Sequence, residues 1–191
     1  MAKDVEQTII DAAIRLFSEK GYAATSIRDI ANSIDMTSAS LYYYIKNKKD
    51  LLNLIMNRYL TLLIDNANET IATVGDDDPS DKLKALISNH VQNHGSNKLA
   101  ALVVDTEYRS LEGEHKAHVK KLRSEYEQIW FKVLEEGKAE GIFSYDNAKI
   151  TSFAMINLCT GVAHWYREDG TLSIQDIAEE YTMLGLKMVL A

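Results

Sequence analysis

The scarcity of helix-breaking residues constrains this chain more than any other feature. Its 191 residues include one proline and nine glycines. Proline and glycine interrupt helices, and turn-rich β folds need many of them, so few of either favours long helices. Nearly every segment also repeats its apolar residues with the 3.6-residue period of a helix. The sequence therefore predicts an all-α fold of about nine helices.

Residues typical of helix ends place a unit of three helices at the start of the chain. Gly21 suits the left-handed position that ends a first helix. Ser26 has Asp29 three residues on, which is the spacing of a capping box. A third short helix follows a tight connection at 35–37 and runs to about Tyr44. The candidate caps are Thr25 or Ser26 for the second helix and Thr37 or Ser38 for the third.

A long fourth helix joins this unit to the rest of the chain. It is predicted from near Asn47 to Val74, a length of about 42 Å at 1.5 Å per residue. Five more helices follow, separated by breaks at 75–79, 95–97, 112–114, 141–146 and 169–173. The acidic run Asp76–Asp78 suits the positive end of the fifth helix. We therefore expect a first domain of residues 1–46 and a larger helical domain of residues 47–191.

The charge distribution limits where a nucleic acid could bind. Residues 1–48 hold six basic and six acidic residues, so the whole net charge of −7 falls on the remainder. An acidic protein is not a typical nucleic-acid binder. Any contact with DNA is therefore expected in the N-terminal unit.

Other composition features exclude several classes of protein. A lone cysteine, Cys159, excludes an intramolecular disulfide and a zinc site of several cysteines, and its apolar helical surroundings predict an inert thiol. The longest uncharged stretch, 150–166, is too short and too polar to span a membrane. No apolar N-terminal run resembles a signal peptide, so the expected location is the cytoplasm.

Residues 26–44 have the spacing of a helix-turn-helix: two short helices joined by a four-residue connection. Such a motif needs small polar side chains where its second helix enters the major groove, and residues 36–44 supply them. Leu41 and Ile45 are placed to anchor this helix in the core. A plain core or interface helix is the alternative, but three successive tyrosines cannot all face one core, because neighbours diverge by about 100°.

The pattern of residues 21–52 resembles the TetR-type transcriptional regulators. The matching runs are Gly21-Tyr22-x-x-Thr25-Ser26-Ile27-Arg28-Asp29-Ile30-Ala31 and Thr37-x-x-x-Leu41-Tyr42-Tyr43-Tyr44-Ile45-x-x-Lys48-x-x-Leu51-Leu52. The chain departs at Tyr44, where the family often has His, at Ile45, where Phe is usual, and at Lys49, where an acidic residue is common. The resemblance implies DNA binding through Thr25, Ser26, Arg28, Thr37, Ser38, Ala39, Ser40, Tyr42, Tyr43 and Lys48.

The same resemblance implies that the larger domain binds a small ligand and forms a homodimer through its last two helices. Residues 174–189 carry a broad apolar stripe, as a helix that packs against a neighbour requires. A symmetric dimer places two recognition helices about 34 Å apart on a palindromic operator. The predicted dimer residues are Phe153, Asn157, Gly161, His164, Ile177, Tyr181, Leu184 and Met188.

Residues 106–143 and 165–173 are similar to one branch of that family, the FadR-like and KstR-like repressors of fatty-acid and sterol degradation. Their effectors are acyl-CoA thioesters, which need an apolar tunnel for the acyl chain and cations for the phosphates. Relatives often have Trp and Arg where this chain has Gly161 and His164. The predicted ligand-binding residues are Leu63, Val91, Leu102, Val103, Thr106, Arg109, Tyr126, Trp130, Met155, Val162 and His164; plain core packing is the alternative for the apolar ones.

Three other readings stay open from the residues. One is a regulator of efflux or stress genes that responds to a hydrophobic or aromatic compound without CoA. The others are a helical binding protein or enzyme without a DNA role, and an architectural protein. His90 with His94, and His115 with His118, have the spacing of half a metal site, but no third ligand is evident. Since no catalytic triad or nucleotide-binding loop occurs, we expect no enzyme, cofactor or metal.

Overall fold

The structure is a computed structural model that describes the backbone of residues 2–75 and 78–190 and the side chains of residues 5–75 and 78–190. Within these residues every regular element is a helix, which confirms the predicted all-α class. The elements are α1 (Ala2–Lys20), α2 (Ile27–Asn32), α3 (Ser38–Tyr42), α4 (Lys48–Val74), α5 (Pro79–Ser96), α6 (Lys98–Thr106), a 3₁₀ turn (Tyr108–Ser110), α7 (Gly113–Ala139), α8 (Ala148–Thr160), α9 (Val162–Trp165) and α10 (Ile174–Lys187).

Local side-chain chemistry sets most helix starts where the sequence predicts them. Ser26 and Asp29 form the expected capping box at α2, and Ser173 with Asp176 forms another at α10. Thr37, rather than Ser38, caps α3. Asp78 caps α5; Asp76 and Asp77 of the predicted acidic run lie outside the described residues.

Three predicted helices end earlier than expected. The third stops at Tyr42 rather than Tyr44, and the sixth stops at Thr106 and continues as the 3₁₀ turn. The predicted eighth helix is interrupted at Gly161, which caps α8 and precedes the four-residue α9. Glycine is a poor helix former, and Tyr166 then takes an extended conformation with ψ of 140° that ends α9.

The chain divides into two compact units, each built from two segments. The first comprises Met1–Tyr59 and Leu99–Lys120, and the second Leu60–Lys98 and Lys121–Ala191. Helix α4 is continuous, and its residues up to Tyr59 belong to the first unit. The predicted domains, residues 1–46 and 47–191, separate a DNA-binding part from a ligand-binding part and do not follow the compact units. They stay a prediction.

Each unit has its own apolar core. In the first, the buried side chains include Ile9, Phe17, Ile30, Leu41, Leu51 and Leu52. In the second, they include Leu83, Leu86, Val91, Trp130, Leu134 and Met155. No helix in the described part of the chain is long and apolar enough to cross a membrane.

Two glycines let α10 approach α5 closely in the second unit. A Cβ atom at Gly95 would lie 2.3 Å from Cδ1 of Ile174, and one at Gly185 would lie 2.4 Å from Cδ1 of Ile87. Both distances are far shorter than a normal carbon contact of about 3.5–4.0 Å. The absence of a side chain at these positions therefore sets the spacing of the two helices.

Candidate functional site

At α3, the second helix of the helix-turn-helix, and just beyond its end, two aromatic side chains are exposed and two aliphatic side chains are buried. Tyr42 is 53% exposed and Tyr43 is 85% exposed, whereas Leu41 and Ile45 are buried. This confirms the predicted anchors. Large tyrosines usually bury their rings, so two neighbouring exposed rings mark a surface built for contact.

An open groove of about 470 Å³ lies beside α3 in the first unit. Its lining residues are Ala23, Ala24, Thr25, Ser26, Ile27, Arg28, Ser38, Tyr42 and Lys48. Six of the ten predicted DNA-contact residues therefore meet at one surface. The other four, Thr37, Ala39, Ser40 and Tyr43, are all exposed residues at or in α3.

Lys48 both lines this groove and braces the turn between α1 and α2. Its ammonium donates to the backbone carbonyls of Tyr22 at 2.9 Å and Thr25 at 2.7 Å, and it lies 4.3 Å from the centre of the Tyr22 ring. An ammonium has three N–H donors. Two of them are engaged within the chain, which leaves one for the predicted contact with DNA.

Thr25 is buried in the structure, although the sequence predicts it as a DNA-contact residue. Its side chain is 1% exposed, and its hydroxyl is bonded to the carbonyls of Gly21 at 2.9 Å and Leu16 at 3.2 Å. The side chain therefore closes the turn after α1 instead of reaching the surface. The sequence places Thr25 beside the motif, but only the packing shows which way it faces.

Hydroxyl groups at the helix starts are engaged in capping. Ser26 and the Asp29 carboxylate bond to each other and to each other's backbone N–H. The hydrogen bond from the Ser26 hydroxyl, followed by the one from the Ser26 backbone N–H, lowers the pKa of Asp29 below its usual range. Thr37 accepts from the N–H of Ser40 at 3.1 Å, and the two hydroxyls lie 2.9 Å apart. The predicted contact residues Ser26, Thr37 and Ser40 thus also stabilise the helices that carry them.

A polar clamp in the first unit was not predicted from the sequence. Glu107 accepts a hydrogen bond from the backbone N–H of Tyr22 at 3.1 Å, although the two residues are 85 positions apart. Lys49 pairs with Glu112 at 3.0 Å, and His115 lies 2.9 Å from Asp50. No sequence pattern marks pairs at such distances along the chain, so only the tertiary structure reveals them.

The predicted ligand-binding residues are divided between the two units. Leu102, Val103, Thr106 and Arg109 lie in the first, and Leu63, Val91, Tyr126, Trp130, Met155, Val162 and His164 lie in the second. The apolar ones are buried apart from half-buried Leu102, while Thr106, Arg109 and His164 are exposed. Their role in ligand binding stays a prediction.

A buried polar cluster lies among the apolar side chains of the second unit. Nδ1 of His90 lies 2.8 Å from the Tyr126 hydroxyl, and Nε2 lies 3.1 Å from the Thr160 hydroxyl. The ring of His90 stacks on His94 with centroids 3.9 Å apart and meets Trp130 edge-on at 5.6 Å. Burial, followed by the neighbouring His94, lowers the pKa of His90 well below its ordinary value.

This cluster explains the positions of His90 and His94, whose spacing is that of half a metal site. Both ring nitrogens of His90 are engaged by hydroxyls, and Nδ1 of His94 lies 2.9 Å from the carbonyl of His90. Among the described residues, no three His, Cys, Asp or Glu side chains are grouped as a metal site requires. His90 and His94 are therefore best explained as parts of a hydrogen-bonded core.

The faces of α8 to α10 carry unusually exposed apolar side chains. Leu184 is 46% exposed, Met188 is 40% exposed, and His164 and Asn157 are also exposed, while their role in a dimer stays a prediction. Phe153, Gly161 and Tyr181 are half-buried. Further exposed apolar residues on or beside these helices, for which no sequence pattern predicts a dimer role, are Ile150, Leu158, Trp165, Leu172, Met183 and Leu190.

The structure corrects the prediction for one dimer residue, Ile177. Its side chain is 3% exposed, so it belongs to the core of its own unit. The hydrophobic period of α10 alone does not separate a stripe that faces the core from one that faces outward. In the structure, the outward face carries Leu184 and Met188 instead.

The two short helices α2 and α3, their connection and the adjoining groove define a DNA-binding protein of the helix-turn-helix class. Residues 9–55 match the family described as "Bacterial regulatory proteins, tetR family", and residues 76–189 match "Tetracyclin repressor-like, C-terminal domain". The chain therefore belongs to the TetR family. As a member of that family it is a DNA-binding, ligand-responsive transcriptional repressor and not an enzyme.

Individual relatives resemble the chain over nearly its whole length. The HTH-type transcriptional repressor KstR2 of Rhodococcus jostii is 28% identical over 180 residues, which are 93% of this chain and 87% of the relative. A bacterial regulatory protein of the tetR family from Rhodococcus RHA1 has a TM-score of 0.90 at 29% identity, covering 97% of both chains. AibR, solved with isovaleryl coenzyme A and operator DNA, has the same fold with a TM-score of 0.82 at 23% identity, covering 94% of this chain and 96% of AibR.

Proposed function

We propose that this protein is a homodimeric repressor that a CoA thioester releases from a palindromic operator. The observation that carries the proposal is the groove beside α3, where Arg28, Tyr42 and Lys48 converge beside the exposed Tyr43. Because its target is chromosomal DNA, we place its action in the cytoplasm.

The DNA-contact surface combines one reading helix with flanking groups that suit phosphates. Exposed Ala39 and Ser40 and half-buried Ser38 have side chains small enough for close approach to base edges in the major groove. Arg28 and Lys48 supply cations, and the Tyr42 and Tyr43 hydroxyls supply donors, for the phosphate contacts that set register. The neutral charge of residues 1–48 predicts a shallow salt dependence compared with strongly basic binders.

A homodimer through α8 to α10 follows from the exposed apolar side chains there. Scattered exposed apolar residues are normal, but here Trp165, Leu172 and Tyr181 line one cavity of about 340 Å³, and grouped apolar side chains support a partner surface. Two copies related by a twofold axis would bury these side chains and present two recognition helices to half-sites one DNA turn apart. The palindromic operator is the DNA counterpart of that symmetry.

The effector class is inferred from the similar proteins and from residue chemistry. AibR was solved with isovaleryl coenzyme A, a short acyl thioester. In the second unit of this chain, buried Val91, Trp130 and Met155 supply apolar surface for an acyl group, while exposed His164 supplies a polar group for phosphates.

Release from DNA requires that the effector favour one arrangement of the protein over another. Helix α4 runs without interruption from the helix-turn-helix into the second unit. An effector that shifts α4 changes the spacing of the two recognition helices. It does so only if it binds the arrangement that does not fit DNA more tightly.

The effector is tested by fluorescence anisotropy of labelled DNA from upstream of the gene. The bound protein is titrated with isovaleryl-, octanoyl- and palmitoyl-CoA, with free CoA and the free acids as controls. Release by the thioesters alone supports the proposal. Tight DNA binding that no thioester reverses would overturn the CoA effector and leave the regulator.

The DNA surface is tested by Tyr42→Ala and Arg28→Ala, each compared with Tyr145→Ala in the second unit. Loss of one hydrogen bond to a charged phosphate costs about 1.5–3 kcal/mol, so we expect operator affinity to fall about tenfold to a hundredfold. The dimer, checked by sedimentation, should be unchanged. Equal affinities for all three variants would contradict the assigned surface.

A second candidate effector is an aromatic compound without CoA, as in a regulator of efflux or stress genes. The buried rings of His90, Tyr126 and Trp130 favour it, because edge-on and stacked contacts suit aromatic ligands. Gly161 and His164, which depart from the acyl-CoA branch, also favour it. The same anisotropy assay decides between the two when aromatic compounds are titrated in parallel.

A further inference from the structure

A single carboxylate ties the segment after α6 to the turn that precedes the helix-turn-helix. Glu107 accepts a hydrogen bond from the backbone N–H of Tyr22 through Oε1 at 3.1 Å, and from the Ser110 hydroxyl through Oε2 at 2.8 Å. Tyr22 is buried. Hydrogen bonds to an ionised acceptor are stronger than neutral ones, so Glu107 holds this peptide firmly.

The other side of the same turn is held by Lys48. Its ammonium bonds to the carbonyls of Tyr22 and Thr25, and Ser26, the next residue, caps α2. The backbone from Tyr22 to Thr25 is thus fixed by a carboxylate at its N–H side and by an ammonium at its carbonyl side. A displacement of Glu107 therefore acts directly on the start of α2.

Two other polar links between the described residues of these segments are weaker. The Lys49–Glu112 pair is 64% and 77% exposed, and the His115–Asp50 pair is about one-third exposed on each side. Exposed ion pairs contribute little to stability and are screened by salt. Of these three links, the one from Glu107 bonds to the backbone of buried Tyr22, whereas the other two join side chains. The side-chain pairs therefore cannot replace it.

We infer that Glu107 is the positioning residue that transmits effector binding to the helix-turn-helix. The inference rests on the proposed function, since it requires an effector that acts on this segment. The predicted ligand-binding residues Val103, Thr106 and Arg109 lie within four positions of Glu107. An effector that shifts them alters the Glu107–Tyr22 bond, and with it the position of α2 and α3.

Three variants of the full-length chain test this inference: Glu107→Ala, Glu107→Gln and the matched control Glu112→Ala. The readout is the ratio of operator Kd values with and without saturating octanoyl-CoA, or whichever of the three thioesters releases the wild type most. Allosteric ratios are typically about 5- to 150-fold. We expect the ratio to fall to below about a third of the wild-type value in Glu107→Ala. It should be retained in Glu112→Ala, and in Glu107→Gln, whose amide oxygen can accept the same N–H.

A purely structural role gives a different result. It would weaken DNA binding or lower the melting temperature of Glu107→Ala while leaving the ratio unchanged, and that outcome overturns the inference but not the proposed function. If no thioester releases the wild type, both fail. The two failures are therefore distinguishable.

Hydrogen exchange supplies a second readout that needs no effector. Amides of residues 17–26 should exchange faster in Glu107→Ala than in the wild type or Glu112→Ala. Unchanged protection in α5 and α10 would show that the variant is folded. Equal exchange of residues 17–26 in all three proteins would overturn the inference.

Discussion

At the scale of single residues, burial decides the chemistry of several side chains. His90 is fully enclosed, with both ring nitrogens bonded to hydroxyls, so the neutral ring is favoured. Burial also raises the pKa of the Cys159 thiol to about 12. That thiol stays protonated at neutral pH, as its apolar helix position predicts.

His90 predicts a loss of stability in mild acid. Its pKa is lower in the folded chain than the ordinary 6.5, because burial penalises the charged ring. The unfolded chain then binds more protons below pH 6.5, so the free energy of unfolding falls as the pH drops below that value. The slope reaches about 1.4 kcal/mol per pH unit for one such group. Urea unfolding at pH 7.5, 6.5 and 5.5 measures it.

The control for this prediction is the exposed histidine His118. His90→Gln should flatten the slope between pH 6.5 and 5.5 whatever it does to stability at pH 7.5. His118→Gln should keep the wild-type slope. The assignment to His90 is wrong if both variants retain the slope.

At the scale of helices, short elements depend on their ends and long ones on their packing. Helices α2 and α3 have six and five residues, too few to be stable in isolation. The Ser26 and Thr37 hydroxyls accept hydrogen bonds from the N–H groups of Asp29 and Ser40, while Ile30 and Leu41 anchor the two helices to the core. The DNA-reading motif therefore owes its shape jointly to capping and to burial.

Removing the cap of α2 should cost measurable stability. Ser26→Ala loses the hydroxyl that accepts from the N–H of Asp29, and such substitutions cost about 1 kcal/mol. Urea unfolding of the variant checks this. Ser124→Ala, at an exposed position inside α7, serves as the control and should leave stability equal or slightly higher. A Ser26→Ala variant as stable as the wild type would contradict the capping role.

The ring of Phe143 packs so closely against Gly137, near the end of α7, that the position has no room for a side chain. A Cβ atom at Gly137 would lie 2.1 Å from the Phe143 ring. Gly137→Ala should therefore destabilise the protein, because overpacking costs about 1–3 kcal/mol against a helix-propensity gain of about 1 kcal/mol. Thermal unfolding measures the net effect.

A second substitution separates crowding from backbone effects at this site. Phe143→Leu removes the aromatic ring, so Gly137→Ala should cost less in that background than in the wild type. Equal costs in both backgrounds would show that the ring does not restrict position 137.

At the scale of the whole molecule, the acidic excess and the exposed apolar side chains have different consequences. The net charge of −7 lies beyond residue 48, so electrostatics favour DNA contact only through the first 48 residues. The exposed apolar side chains of α8 to α10 favour association of two copies. Together they suit a protein that binds DNA as a pair of small neutral motifs.

Charged substitutions on the exposed apolar face should dissociate the proposed dimer. Leu158 and Leu184 are 37% and 46% exposed, so glutamate is tolerated there in a monomer but is costly in a buried interface. Leu158→Glu with Leu184→Glu should give a monomer in analytical ultracentrifugation and weaken operator binding by at least about tenfold. Leu99→Glu, at a position 43% exposed in α6, is the control and should remain dimeric. A double variant that sediments as a dimer would contradict the assigned face.

The sequence by itself determined the all-helical class, the helix-turn-helix and most helix starts. Helical period, capping boxes and the left-handed Gly21 act over a few neighbouring residues, so they are readable in the order of the residues. The same local logic identified Leu41 and Ile45 as anchors of α3.

Only the tertiary structure decided which way side chains face and which distant residues meet. Packing turned Thr25 and Ile177 inward, although the sequence predicts surface contacts for both. It brought Glu107 to Tyr22 and enclosed His90 with Tyr126 and Thr160, in pairs separated by at least 36 positions. Such contacts depend on how whole helices pack, and no local pattern of residues encodes that.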